Sequence, residues 1–523
     1  MRMTTHLLGN LPKLAWAVSI HQSAEIVSLY HGPWVEISDS FFIEGVWNGS
    51  FAQGGFDQTD CIFGSGGVLR DDSLTLVSSG STTDYLYYCK RVDVLLAANS
   101  LPLLLALTGN KLDIDNPDYA VINESIKLGI GLYRREIPTT GDTIQRLIYR
   151  NLRISLRGIE EIDKPWPPHF TCYTDYFDYV NSNYSIIATN ARDPERKRPL
   201  QIFSTQSRGY DTTAVNAIAA QYGIDQVFTI SKGKGSGRFA ENDEVIQSDD
   251  DGTEICDILG LQVSPIERRV VFTNHCNDEY LYYCAIHGSE DVFLMGIVNM
   301  INTPSLLLTG TLGEMFYPRQ NYLDHCGKHM RISELERYDL GGGHGLTEVR
   351  LVKGFIDLPL FYIGARQRDD IMDITESSEM NRWRLGNSYD RPISRRIAED
   401  IGIPRQQFGQ KKMTASVELT PPYLPANTRL REEYLNHLLE YRILRSWQIW
   451  TLPLVHRINA IIWFISPRQY RWLYYLERAI SKLIRRDFHF PMLLKKVNSG
   501  LFCHCVNKRA DEYACTISDH VLP

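Results

Sequence analysis

A strand pattern at residues 200–205 gives way to the polar loop Gln206-Ser207-Arg208-Gly209-Tyr210-Asp211-Thr212-Thr213, and a helical pattern then runs from about Asp211 to Tyr222, closed by Gly223. Strand, tight turn and helix in that order suit an anion. Gly209 permits a positive φ, Ser207 and Thr212 supply hydroxyls, and the first helical turn presents backbone N–H groups to a phosphate. Asp211 could hold Mg²⁺ beside those phosphates, or it could simply cap the helix as short polar residues do. A second strand pattern at 226–231 completes a βαβ unit. Other groupings have the residue types without the spacing. Lys232-Gly233-Lys234-Gly235-Ser236-Gly237 lacks the order of a Walker loop and the spacing of a dinucleotide fingerprint, so it reads as a loop beside the nucleotide or as plain surface. Cys503-His504-Cys505 with Cys515, and His325-Cys326 with His329, lack paired structural-zinc spacing.

A phosphate loop of this kind needs a mostly parallel α/β sheet beneath it, and residues 199–425 alternate strand and helix patterns accordingly. Ahead of it, short β-type runs at 41–47, 74–77, 85–88 and 92–96 alternate with Gly and Asp turns, and helical periodicity follows at 101–107 and near 119–128. A layered sheet domain over 1–165 is expected. Pro- and charge-rich stretches at 163–168 and 193–199 mark a boundary, with 166–198 as a linker. From 426 to 523 the chain is rich in Leu, Trp, Tyr and Arg at helical spacing, and Pro453 and Pro467 are expected to break it into two or three helices. These helices are expected to bury their aromatic stripe and leave a solvated basic face, with peripheral membrane contact as the alternative.

The loop Ser207 to Thr213 resembles the S-G-G-x-D-S-S pyrophosphate loop of the N-type ATP pyrophosphatases, in particular of asparagine synthetases, with Arg208 in place of Gly and Thr212 in place of Ser. Leu308-Thr309-Gly310-Thr311-Leu312-Gly313-Glu314-Met315-Phe316 resembles their L-[ST]-G-x-G-x-D-E-[LV]-F segment, one residue shorter and with Glu314 as its only carboxylate. Gly345-Leu346-Thr347-Glu348-Val349-Arg350 resembles G-[VL]-E-x-R, with Phe355-Ile356-Asp357 as a displaced remnant of the following tail. Residues 389–396 with Gln410-Lys411-Lys412-Met413 resemble the K-x-x-L-R helix and the R-x-K-x-G-F that follows it.

The resemblance extends forward. Residues 42–51 look like the F-x-x-x-L-x-G-x-F strand, and 84–88 with 95–100 look like D-x-x-G-x-x-P-L-Y-Y and F-A-S-E of the glutaminase domain. That domain uses an N-terminal Cys thiol as nucleophile and its own α-amine as base, whereas the first Cys here is Cys61. The resemblance therefore implies an α/β chain of three parts: a truncated Ntn-hydrolase-like α+β sandwich without glutaminase activity, a parallel-sheet pyrophosphate-loop domain of the adenine nucleotide α hydrolase-like type, and a C-terminal helical extension. It implies ATP and Mg²⁺, with Ser207, Gly209, Asp211 and Thr212 on the pyrophosphate, Asp211 and Glu314 on the metal, and Thr229 and Ser231 beside the adenosine. Glu348 would orient or deprotonate the nucleophile, and Lys411 or Lys412 would neutralise charge in the transition state. The implied reaction is activation of a small-molecule or peptide carboxylate as its acyl-adenylate, followed by attack of an amine or ammonia. Aspartate is the family's default substrate. The alternative is a catalytically inactive scaffold that keeps the fold.

At 523 residues, a lone small binding module is ruled out and two or three cores are expected. A hydrophobic fraction of 43% with 22% charged residues excludes a disordered or collagenous chain. The net charge of −7 offers no footprint for generic nucleic-acid binding, which disfavours a tRNA-modifying relative. Ten irregularly spaced Cys point to a reducing, cytoplasmic setting rather than a disulfide framework. The apolar stretch 14–20 after Lys13 has some character of a secretion signal but lacks the A-x-A cleavage pattern.

Overall fold

Alternating apolar residues set the first half of the fold. The computed structural model describes residues 1–21, 25–116, 118–235, 247–267, 277–285, 294–319, 346–387, 389–410, 413–414, 424–465, 467–486, 488, 490, 492 and 494–521. Its first strands are β1 (Arg2–Leu7), β2 (Trp16–His21), β3 (Ile26–His31), β4 (Glu36–Ile37), β5 (Phe41–Trp47), β6 (Ile62–Arg70), β7 (Ser73–Val77), β8 (Leu86–Lys90), β9 (Val94–Ala98), β10 (Glu136–Pro138), β11 (Thr143–Leu147), β12 (Arg150–Ser155) and β13 (Gly158–Asp163). They form a seven-stranded sheet, β1-β3-β2-β9-β8-β11-β10, and a six-stranded sheet, β13-β12-β7-β6-β5-β4. Trp16, Val18 and Ile20 of β2, with Leu95 and Ala97 of β9, meet Phe42, Leu74, Leu76, Leu152 and Ile154 of the other sheet in one buried layer. The period of two sends their neighbours, such as Ala17, Leu96 and Ala98, to the opposite face. The apolar stretch at 14–20 is thus largely an interior strand of this sandwich.

Helix α1 (Leu101–Thr108) starts at Ser100, whose hydroxyl accepts from the Leu103 amide at 3.1 Å, and ends at Gly109 in the left-handed region. A short α2 (Tyr119–Glu124) follows. The segment 166–198, expected as a linker, instead holds the 19-residue helix α3 (Tyr173–Ala191). Tyr173, Tyr176, Val180, Tyr184 and Ile187 recur at helical spacing and are buried. Helix α3 packs on β5 on one side and on the first strand of the next sheet on the other, so it is a layer shared by both.

That next sheet is built from β14 (Gln201–Gln206), β15 (Gln226–Ile230), β18 (Val263–Ile266), β19 (Ser305–Thr309) and β20 (Phe355–Pro359), all parallel and ordered β18-β15-β14-β19-β20. Between them run α4 (Tyr210–Ala219), α5 (Thr253–Ile258), α6 (Glu279–Tyr282), α7 (Met295–Val298) and α8 (Thr347–Lys353), and α9 (Arg368–Glu376) and α10 (Pro392–Asp400) follow. The first strand lies between the second and the fourth, so the chain changes direction across the sheet between β14 and β19. In open parallel sheets a crevice forms at that point, outside the carboxyl ends of the strands. Lys232–Gly235, expected as a loop, is β16, paired with β17 (Gln247–Asp249) and β21 (Met413–Thr414) in a small antiparallel sheet.

The C-terminal helices are α11 (Thr428–Glu440), α12 (Ser446–Ile465), α13 (Pro467–Ile484) and α14 (Lys495–Val521). Helix α12 continues through Pro453, which lies exposed, whereas Pro467 starts α13 at a first-turn position where its missing N–H costs nothing. Val497, Leu501 and Cys505 of α14 are buried, and α14 packs along α1 and α11. The expected burial of the aromatic stripe does not hold throughout, because Trp447, Trp450 and Trp472 are exposed. No helix among the described residues is long and apolar enough to cross a membrane.

Candidate functional site

The carboxyl ends of β14 and β19 deliver two loops to the same place. Leaving β14, the Ser207 amide donates to Thr212 Oγ1 at 3.0 Å and the Gly209 amide to Ser207 Oγ at 3.1 Å, closing a turn over the start of α4. Thr213 Oγ1 donates to the Gly209 carbonyl at 2.7 Å. Arg208 points away: its amide donates to Asp250 and its guanidinium reaches the Asp251 carbonyl and Glu254. Gly409 donates to the Arg208 carbonyl at 2.8 Å and fixes the outer side of the turn.

Helix α4 begins at Gly209 without a side-chain cap, so Asp211 sits inside the first turn and does not cap it. Its carboxylate accepts instead from Nη1 of Arg391, the residue that precedes α10. Arg391 is fully buried, with its guanidinium 4.3 Å above the Tyr317 ring. Burial works against its charge, but Asp211 and the flanking Tyr389 and Tyr317 more than offset this and raise its pKa above the ordinary guanidinium value. One turn on, buried Arg395 donates to the Tyr210 hydroxyl and stacks on its ring. Two guanidiniums four residues apart, one at the N-cap of α10 and one inside it, therefore converge on the start of α4.

The second loop leaves β19 and crosses Asp211 at close range. A Cβ on Gly310 would stand 2.7 Å from the Asp211 Cβ, and one on Gly313 would stand 2.2 Å from Asp211 Oδ1. Between them Leu312 adopts φ +72°, a left-handed conformation that costs a non-glycine residue about 1–2 kcal/mol. Half-buried Glu314 follows in a short 3₁₀ turn, Gly313–Phe316. Asp211, in the first turn of α4, therefore lies against the segment that carries Glu314.

Thr229, opposite Gln206 in the β14–β15 register, is buried, and its hydroxyl accepts from the Gly252 amide at 2.9 Å. Ser231, just beyond that strand, is exposed, and its carbonyl accepts from the Asp250 amide. Lys411 and Lys412 lie outside the described residues.

The structure does not bring Glu348 to these loops. It is fully buried in the first turn of α8, where Ser100 Oγ donates to one oxygen, Tyr513 Oη donates to the other at 2.7 Å, and Arg509 Nε stands 3.6 Å away. Arg350, two residues on, pairs with Glu44 and Asp84 of the sandwich. This segment fastens the parts of the molecule together.

The resemblance placed Asp357 in a displaced remnant of the family's tail and Arg391 in the segment like its K-x-x-L-R helix, but it gave neither residue a role. Asp357, in the middle of β20, is buried and accepts from Thr309 Oγ1 at 3.3 Å at the end of β19. Burial, reinforced by Asp84, lifts its pKa to about 7, against the opposing pull of Thr83, Arg350 and Thr309. An acidic residue in a strand that reads otherwise apolar was the available signal for Asp357. For Arg391 the 389–396 segment was the available signal, but its pairing with Asp211, 180 residues away, had no local mark. No protein-family profile matches this chain, and no curated protein matches it.

Proposed function

We propose that the chain is an ATP-dependent, AMP-forming carbon–nitrogen ligase of the asparagine-synthetase-like class, with its nucleotide site at the direction change between β14 and β19. The observation that carries this reading is the meeting of the 207–213 turn, the 310–314 loop and Arg391 around Asp211. Phosphate chemistry fits these residues. The first turn of α4 has no side-chain cap, Ser207 and Thr212 border it, and a buried guanidinium stands beside it. Asp211 and Glu314 would supply the hard oxygen donors that Mg²⁺ takes together with phosphate oxygens.

When bound, ATP supplies an α-phosphorus for attack by a substrate carboxylate oxygen, with pyrophosphate as leaving group. The α4 amides and Arg391 would balance the charge gathering on that pyrophosphate. An amine or ammonia then adds to the acyl carbon, AMP departs, and the nitrogen loses a proton to give the amide. Lys411 or Lys412 remains assigned to the charge developing at that stage. Glu348, with both oxygens engaged in the interior, has no contact with substrate in this reading. In this reading the N-terminal two-sheet layer is the family's Ntn-hydrolase-like domain and the parallel sheet its adenine nucleotide α hydrolase-like domain.

The second reading, an inactive scaffold, is favoured by the guanidinium already seated on the Asp211 carboxylate. Equilibrium ATP binding with Mg²⁺, and pyrophosphate release against a panel of carboxylates with ammonia or amines, separate the two. The ligase reading expects ATP to bind and Asp211→Asn to slow pyrophosphate release by roughly 100-fold or more. Absence of ATP binding by the wild-type protein in the presence of Mg²⁺ leaves the scaffold.

A further inference from the structure

The hairpin of α12 and α13 turns an apolar stripe outward. On α12, Trp447, Trp450, Leu454, Ile458 and Ile461 are all exposed, Trp450 to 84%. At 3.6 residues per turn, steps of three and four place them within an arc of about 80°. The buried Leu452, Val455 and Asn459 occupy another side of the same helix. Helix α13 repeats the pattern with Trp472, Tyr475, Ala479 and Leu483 at the same spacing, Leu483 being 85% exposed. Side chains of this size are normally the first to be covered, and a continuous exposed set marks an interaction surface.

Charge identifies the occupant. Residues 441–486 contain nine Lys and Arg against a single Glu, a local charge of +8 inside a chain of net −7. Arg457 lies beside the α12 stripe, Arg478 and Lys482 lie along one flank of the α13 stripe, and all three are exposed. Two helices that set Trp and Leu beside cations, a single Arg on α12 and Arg and Lys on α13, have the chemistry of the lipid–water interface, where rings lie at headgroup depth and cations meet lipid phosphates. We propose that the α12–α13 hairpin docks this protein onto an anionic membrane surface, lying in the interface. A protein partner covering so basic a face would need a matching acidic patch, and a second copy would oppose the +8 of residues 441–486 with another +8.

Flotation of the full-length protein with vesicles of phosphatidylcholine alone, or with about 30% phosphatidylglycerol added, tests this. The expected result is at least about tenfold tighter binding to the anionic vesicles, weakening as ionic strength rises. Arg478→Glu with Lys482→Glu should abolish that preference, and Trp450→Ser with Leu454→Ser should lower binding to both vesicle types, with unchanged far-UV circular dichroism as the check on folding. Equal binding to both vesicle types, no binding to either, or a charge-reversed protein that binds like wild type overturns the proposal. So does a dimer in sedimentation velocity that Trp450→Ser with Leu454→Ser dissociates while vesicles stay unbound, because the stripe then joins two copies.

Discussion

Asp357 illustrates how one side chain can set a pH dependence from inside the protein. Its pKa rises from an ordinary 3.8 to about 7, chiefly through burial. A carboxyl raised in this way favours the folded state while protonated. That contribution is fully present below about pH 4 and is lost as pH climbs through about 7. The slope approaches roughly 1.4 kcal/mol per pH unit where the unfolded chain is ionised and the folded one is not. Asp357→Asn keeps a neutral amide at every pH. Thermal unfolding between pH 4 and 8 should therefore show wild type losing stability relative to the variant over that window, and parallel curves would contradict the assignment. Arg391 presents the converse case, a buried cation whose charge is held by Asp211 and two tyrosine rings.

Among the elements, the crossing of the 310–314 loop over α4 is the tightest contact of the candidate site. Gly310 has the Asp211 Cβ and the Thr212 amide within 3.1 Å of where its own Cβ would be, and both belong to the first turn of a packed helix. The helix cannot yield, so in Gly310→Ala the loop must move. ATP affinity by calorimetry should drop about tenfold or more, at a stability cost of about 1–3 kcal/mol, the usual range for overpacking. The same elements show what a sequence reveals. Strand β5 was legible to the residue because Phe41–Trp47 is a dense β-forming run ended by Asn48-Gly49. The turn and helix at 207–219 were legible because the polar loop and the helical spacing are local signals, although Gly209, at φ −76°, does not use the positive φ its residue type permits. Helix α3 was not, since Pro and charged residues at its ends outweighed an aromatic spacing diluted by Asn, Ser and Asp. The order β18-β15-β14-β19-β20, which puts the loops together, arises from pairings between distant strands and leaves no local trace. The pairing of β16 with β21 is equally remote.

For the molecule as a whole, Glu348 is a junction. It touches Ser100 at the head of α1, belongs to α8 ahead of β20, and meets Tyr513 and Arg509 on α14. Removing one partner of a buried charged network costs about 3–5 kcal/mol, so Glu348→Ala should lower the denaturant midpoint accordingly and speed hydrogen exchange in both α1 and α14. A variant of wild-type stability that has lost only catalytic turnover would instead restore Glu348 to the reaction. Helix α14 also closes over ground laid far earlier in the chain: Lys111, just past α1, meets Asp511 across a separation of 400 residues. A ribosome adding about 5–20 residues per second needs roughly 20–80 s to make that stretch. Throughout that interval the leucines of α1 have emerged and their final cover has not. The nascent sandwich exposes that apolar face until α14 is made, so chains terminated before α14 are expected to aggregate more readily than the full chain.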